Sequence, residues 1–299
     1  MMSDSESEDS AIDVVHVVDF DSTTSLDSTV LKSVNENGRQ YQDYRYILPK
    51  DEKEQERQRQ GHALLYYALG DLHNCPLTNP QKVLDIGTGV GIWSTKFADK
   101  YKSAVVLGID ISYMQPQYVP PNLSYLIVDA WEFVVEEKHK GQYDFIYIGQ
   151  FAGAVRDWRS FLQHVIQLLK PGGWLKWIEM GIGIHHKHHH QTEALVWWEN
   201  QIRQASENLG TALDVGPYMG SFLQQAGFRE TQVKEVNIPL GTPSESPHKR
   251  LALLNEAYTL STVEPLSLRL LGSSWDMVIC ALVKKDIRQC IAEECQTRW

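Results

Sequence analysis

Val83-Leu84-Asp85-Ile86-Gly87-Thr88-Gly89-Val90-Gly91-Ile92-Trp93 decides the fold of this chain. An apolar, β-branched run gives way to three alternating glycines, and Ile92-Trp93-Ser94-Thr95-Lys96-Phe97 then opens a helical period. That order reads as a buried strand, a tight turn and a helix. Glycine lets the turn bend sharply and brings the backbone within contact distance of a ligand that a Cβ would exclude. The spacing indicates which ligand. A dinucleotide turn, G-x-G-x-x-G, needs its third glycine where this chain has Ile92. Here the pattern is D-x-G-x-G-x-G, with a carboxylate ahead of the first glycine. A carboxylate sits badly beside a pyrophosphate and well beside a cation. S-adenosylmethionine carries a sulfonium and an amino group and no phosphate, so the stretch reads as a methyl-donor site.

Four further apolar runs extend the pattern. Val105-Val106-Leu107-Gly108-Ile109-Asp110 ends in a carboxylate 23 residues past Gly87, placed to accept both hydroxyls of a ribose. Leu123-Ser124-Tyr125-Leu126-Ile127-Val128 leads into Asp129-Ala130-Trp131, an acid and flanking groups suited to an adenine amine and face. Tyr143 to Ile148 ends in Gly149-Gln150, and Trp174 to Glu179 follows the helix stop and tight turn Lys170-Pro171-Gly172-Gly173. Five runs with helical stretches between them predict an α/β fold, a mostly parallel twisted sheet with helices on both faces. Ligands of such sheets bind outside the carboxyl ends of the strands, where Asp85, Asp110, Asp129 and Gln150 fall.

With those residues in place, the chain resembles the class I S-adenosylmethionine-dependent methyltransferases, which are Rossmann-like. Within them it is similar to the fungal LaeA-like group associated with velvet regulators and secondary metabolism. The narrower likeness rests on Asn37-Gly38-Arg39-Gln40-Tyr41, Tyr44-Arg45, Pro49 to Arg57, Gln115-Pro116, Val119-Pro120-Pro121-Asn122, Ala152-Gly153, Asp157-Trp158 and Leu169 to Trp174. It is dense over residues 36–180 and thins to Gln225-Ala226-Gly227-Phe228 and Pro239-Leu240-Gly241. It implies S-adenosyl-L-methionine as donor, with Gly87, Thr88, Gly89 and Gly91 around its methionine part and Asp85 holding its amino group. By the same resemblance Asp110 takes the ribose, Ile111 or Met114 contacts the adenine face, and Asp129 with Ala130 meets the adenine edge; Gln150, at the end of its strand, is counted among the donor-binding residues. Related enzymes close an N-terminal segment over the donor, so Tyr41 and Tyr44, and after them Tyr46 and His62, either line the site or pack the lid onto the sheet. No histidine or acid stands out as a catalytic base.

Composition frames these readings. The 299 residues can bury one large core, and 42% hydrophobic with 22% charged residues is ordinary for a globular protein. A net charge of −10 argues against direct nucleic-acid binding over a broad surface. No apolar run is long enough to span a membrane and the acidic N-terminus is unlike a secretory signal, so a cytoplasmic and/or nuclear location is expected. Cys75, Cys280, Cys290 and Cys295 lack paired metal spacing and read as reduced thiols.

The expected organisation is a disordered acidic tail (1–35), an N-terminal helical lid (36–78), the donor-binding core (79–180), and a helical substrate-side insertion with the C-terminal part of the core (181–299). The tail has no Lys or Arg before Lys32, and Ile12 to Asp19 within it resembles a SUMO-interacting motif, or is simply a sticky patch or a strand docked on the host domain. In the lid, Asp51 is expected to cap a helix with Glu54 reaching back. His185-His186-Lys187-His188-His189-His190 reads as a solvated loop rather than a metal site, since adjacent loop histidines do not converge on one ion. Ala194 to Ile202, rich in tryptophan, reads as a helix whose indoles pack the core or wall a pocket.

The family fold calls for a seventh strand, antiparallel beside the fifth. Val233 to Ile238 can be the sixth strand and Trp275 to Arg288 a helix, but Cys290 to Trp299 shows no legible strand. The sheet is therefore expected to be one strand short, or the C-terminal sequence truncated or misread. The activity expected is methyl transfer to a small-molecule metabolite by in-line displacement. The alternatives are a regulatory methyltransferase in a nuclear complex with a velvet-type protein, and a non-catalytic adaptor that keeps the fold, which the intact donor motif disfavours.

Overall fold

A computed structural model describes residues 33–42, 46–186, 193–240, 248–272, 280–285, 287 and 295–298. Tyr44, the Ile12 to Asp19 patch, His188 to His190 and the start of the 275–288 helix lie outside them.

The first described element is a hairpin, β1 (Val34–Glu36) and β2 (Arg39–Tyr41), turned at Asn37-Gly38 with both residues in the left-handed region. Val34 and Asn35, expected to end a disordered tail, instead pair with Tyr41 and Gln40. α1 (Glu52–Leu69) follows, with Asp51 capping it by accepting from the Glu54 amide. The second half of the expected capping box is not made. Glu54 turns inward to Arg57, because a carboxylate on the buried side of a helix needs a cationic partner more than a backbone amide does.

β3 (Lys82–Ile86), α2 (Ile92–Lys100), β4 (Val105–Asp110), β5 (Leu123–Ile127), α3 (Ala130–Val135), β6 (Tyr143–Gly149), α4 (Trp158–Leu168) and β7 (Leu169–Ile178) build the central sheet and its flanks. The strand order is β5-β4-β3-β6-β7, all parallel. β7 begins pairing at Leu169, before the Pro171-Gly172-Gly173 turn, which is accommodated as an irregularity opposite Tyr143 and Phe145. One face packs on α3, α4 and α6 (Met219–Ala226) through Phe133, Phe161, Leu162, Val165 and Leu168, with Trp158 stacked on Trp177 at 4.3 Å. The other face packs on α2, where Trp93 lies flat on Tyr147 at 3.9 Å.

The remaining elements are β8 (Ile184–His186), α5 (Glu193–Asn208), β9 (Asn237–Pro239), α7 (Lys249–Leu270), a helical segment at 280–285, and β10 (Cys295–Arg298). β10 lies between β8 and β9 and runs antiparallel to both. Three sequence expectations change here. A strand is present at 295–298 although its residues, Cys-Gln-Thr-Arg, carry no apolar period; partner backbones on both sides compensate for weak propensity. Only Asn237–Pro239 of the expected sixth strand pairs, and it joins this small sheet rather than the central one. His185 and His186 lie in a strand, not a loop. No described strand pairs antiparallel with β7, where the seventh strand is expected; the last strand, β10, pairs instead with β8 and β9 in a separate sheet.

α1 and α7 pack against each other over the carboxyl ends of the central strands. Arg57 donates to both oxygens of Glu54, at 2.8 and 2.6 Å, and to the Tyr258 hydroxyl on α7 at 2.8 Å. Glu54 is fully buried. Burial works against the Arg57 charge, but Glu54 beside it more than offsets this and the guanidinium stays charged. Removing one member of a buried pair strands the other charge. Glu54→Ala is therefore expected to lose about 3–5 kcal/mol in urea unfolding, while Glu56→Ala, from the exposed pair with Arg59, should stay within about 0.5 kcal/mol.

Candidate functional site

The carboxyl ends of β3, β4, β5 and β6 converge on the glycine turn. Gly87, Gly89 and Gly91 all have φ between +55° and +73°, and the Gly87 and Thr88 amides both donate to the Ile109 carbonyl at 2.9 Å. A Cβ at Gly87 would fall 2.4 Å from the Phe151 ring, and at Gly89 2.4 Å from Gln58 Oε1. The turn is thus roofed by α1 and by the segment after β6, and only glycine fits beneath that roof.

Asp85 faces into the turn and is 2% exposed. Its carboxylate accepts from Thr88 Oγ1 at 2.7 Å, and Thr88 in turn meets Ser94 Oγ at 2.9 Å. Burial, eased by Thr88 and Ser94, pushes Asp85 up to about 7. Asp110, at the end of β4, accepts from the Gly89 amide on one oxygen and the Ser112 amide on the other, both at 2.8 Å. Burial pushes it up to about 6, with those amides holding it back. Ile111 and Met114 are half-buried beside it. Gln115, unremarked in the sequence except as part of a motif, ties this loop to the turn by donating to Gly89 O at 2.7 Å and Ser112 O at 3.0 Å.

Asp129 takes a second duty as the cap of α3, accepting from the Trp131 amide at 2.8 Å, with Ala130 the first helical residue. Gln150 adopts a left-handed backbone at φ +54° and accepts from the Tyr258 hydroxyl at 3.0 Å. Tyr41 is brought elsewhere: its ring is fully buried under the Arg269 guanidinium at 4.0 Å, and its charged neighbours are Arg269, Arg39, Glu36 and Asp51. Packing of the hairpin on α7 accounts for it. Tyr46 does reach the site, with Glu54, Arg57, Asp110 and Glu179 as charged neighbours; burial pushes its hydroxyl up. Burial, with Lys96 nearby, lowers His62 to about 4, so its ring is neutral at physiological pH.

Beyond Gln150 lies a cavity of about 100 Å³ between the central sheet and the α5–α7 layer. Its walls are largely apolar, with Leu48, Trp198 and Leu213 among them, and its polar rim carries Arg57, Gln150, Glu179 and Tyr258. Trp198 both packs in the core and walls this cavity, its indole N–H donating to Ser267 at 2.8 Å. Glu179, one residue past β7, accepts from the Phe151 and Ala152 amides, each at 3.1 Å, and from Trp177 Nε1 at 2.7 Å. Burial, moderated by these donors, pushes it up to about 7. Sequence reading missed Glu179, Gln58 and Gln115; the only available signal for Glu179 was its place at a strand end. Among the described residues no cluster of His, Cys, Asp or Glu could hold a metal ion, and no helix is long and apolar enough to cross a membrane.

A parallel sheet with a D-x-G-x-G-x-G turn after its central strand and an acid at the end of the next is the arrangement expected of an S-adenosylmethionine-dependent methyltransferase. The chain belongs to the methyltransferase domain family, whose model matches residues 46–203. It is 31% identical to methyltransferase pytC of Aspergillus terreus, over 77% of this chain and 73% of that protein. It is 30% identical to the secondary metabolism regulator LAE1 of Cochliobolus heterostrophus, over 72% of this chain and 73% of the relative. The same identity relates it to the protein-methionine methyltransferase laeA of Emericella nidulans, over 72% of this chain and 59% of that longer protein. S-adenosylmethionine is the methyl donor, and the chemistry requires a methyl acceptor.

Asp85 and Glu179 bind protons more tightly folded than unfolded. The unfolded carboxyls ionise near pH 4 and the folded ones near 7, so the native state holds extra protons between these values and loses stability as pH rises through them. Urea unfolding of the ligand-free protein should show lower stability at pH 8 than at pH 5.5, by on the order of 1 kcal/mol or more per group, and Asp85→Asn should flatten that slope.

Proposed function

We propose that this methyltransferase holds S-adenosylmethionine across the glycine turn and the ends of β3 to β5, and methylates an apolar small molecule seated in the cavity beyond Gln150. The observation that carries this reading is adjacency: one chain of hydrogen bonds joins the turn to the cavity. The Val90 amide donates to Gln58 Oε1, Gln58 to Glu54, Arg57 to Glu54 and Tyr258, and Tyr258 to Gln150.

When bound, the donor supplies a methyl group on a positively charged sulfur. Gly87, Thr88, Gly89 and Gly91 let its methionine part approach the backbone, and Asp85 supports the turn and balances the positive charge. Asp110 trades its Gly89 and Ser112 amides for the ribose hydroxyls, with Ile111, Met114, Asp129 and Ala130 around the adenine. The roof of α1 and Phe151 excludes water, and the apolar cavity aligns the nucleophile; positioning of this kind lowers a displacement barrier by several kcal/mol, on the order of 7–11 at best.

A second reading, a regulatory methyltransferase with a protein acceptor, is favoured by relatives named as a secondary metabolism regulator and a protein-methionine methyltransferase; a velvet-type partner and a nuclear location are what the LaeA-like resemblance adds to it. A cavity of about 100 Å³ admits a single side chain as well as part of a small molecule. The residues assigned to the donor are the same under both readings.

Calorimetric titration with S-adenosylhomocysteine tests the donor assignment without knowledge of the acceptor. Wild type should bind with a micromolar Kd, and Asp110→Ala should weaken binding at least about tenfold, the equivalent of about 1.4 kcal/mol. A folded Asp110→Ala that binds like wild type contradicts the assignment.

A further inference from the structure

Two charged side chains reach the cavity wall, and they are not alike. Arg57 is met by both oxygens of Glu54 and by the Tyr258 hydroxyl. Glu179 is bonded only by neutral donors among the described residues: Oε1 accepts from the Phe151 amide and the Trp177 indole, and Oε2 from the Ala152 amide. A carboxylate offers about four acceptor positions, so Oε2 retains one. The residue is 8% exposed, and an unneutralised carboxylate in such a place is costly unless something that donates a proton or carries positive charge faces it.

We propose that Glu179 Oε2 takes the proton from the acceptor's nucleophile, and that the acceptor is therefore a hydroxyl, phenol or neutral amine on an apolar body rather than a thioether. This rests on the reading of the cavity as the acceptor site. The nucleophile's lone pair forms the new bond to the methyl carbon. The carbon–sulfur bond breaks with its electron pair left on sulfur, which cancels the sulfonium charge, and the X–H proton passes to Glu179. The products are the methylated acceptor, S-adenosylhomocysteine and a neutral carboxylic acid, which then returns its proton to solvent. A thioether has no proton to give and would leave Glu179 idle. The rise of Glu179 to about 7 suits the role, since a base is most useful when it titrates near the working pH.

Glu179 also fixes the 151–152 segment, so loss of activity alone cannot separate base from anchor. Trp177→Phe can. It leaves Glu179 in place but removes one donor to its anion, so a base titrates higher and the acidic limb of the rate profile moves up in pH, whereas an anchor leaves the limb where it was.

The test uses the full chain, methyl-labelled S-adenosylmethionine at saturation, and fungal mycelial extract separated into small-molecule and denatured-protein fractions, over pH 5.5 to 9. Expected are label on oxygen or nitrogen, a wild-type rate that climbs through an acidic limb near pH 7, and a limb moved upward in Trp177→Phe. Glu179→Gln should be slower by roughly 100-fold or more and lack the limb, with S-adenosylhomocysteine affinity within about twofold of wild type. The proposal is overturned by label released as dimethyl sulfide in hot alkali, by an unmoved limb in Trp177→Phe, or by donor bound with no label in either fraction. A wild type that fails to bind S-adenosylhomocysteine overturns the donor assignment as well, and the titration identifies that case by itself.

Discussion

The buried Glu54–Arg57 pair is the interaction on which the arrangement of the site depends. A guanidinium and a carboxylate taken out of water are tolerated only where geometry and further hydrogen bonds repay the desolvation. Both conditions hold, with a two-point contact and a third bond to Tyr258. Because the pair sits on α1, Tyr258 on α7 and Gln150 after β6, satisfying one charge requires three distant pieces of chain to meet. Gly61 makes the meeting possible, since a Cβ there would fall 2.8 Å from both Gln150 and Tyr258.

The rest of the site follows from the sheet. Parallel strands end on the same side, so Asp85, Asp110 and the segments after β5 and β6 are brought together by topology alone. The hydrogen bonds then give each acid a definite state. Asp85 is spent on Thr88, Asp110 on two backbone amides, and Asp129 on a helix cap, so in the proposed placement of the donor its nucleoside would compete with internal partners at Asp110 and Asp129. Glu179 differs in facing the cavity with acceptor capacity to spare.

Much of this was legible in the sequence, and the reason is local. The inner strands β3 and β6 are buried on both faces, all five central strands read as largely apolar runs, and the glycine turn needs backbone angles that leave a spacing visible in one dimension. The strand-end acids came with them. What could not be read depends on contacts between distant residues. Cys295–Arg298 pairs because β8 and β9 offer edges, not because of its own residues. Glu54 abandons the capping box because Tyr258, some two hundred residues on, helps hold Arg57 beside it. Tyr41 is an aromatic on the lid that Arg269 draws into the hairpin contact, and no local pattern distinguishes it from Tyr46, which does approach the site.

In the proposed arrangement the donor lies over the glycine turn with its sulfur toward the cavity bordered by Gln150 and Glu179. A crystal structure of the full chain with S-adenosylhomocysteine tests it most directly. Density is expected across Gly87 to Gly91, with the ribose on Asp110 and the sulfur facing that cavity. Density instead in the charged cleft between α1 and α7, lined by Arg39, Arg59 and Glu264, would contradict it.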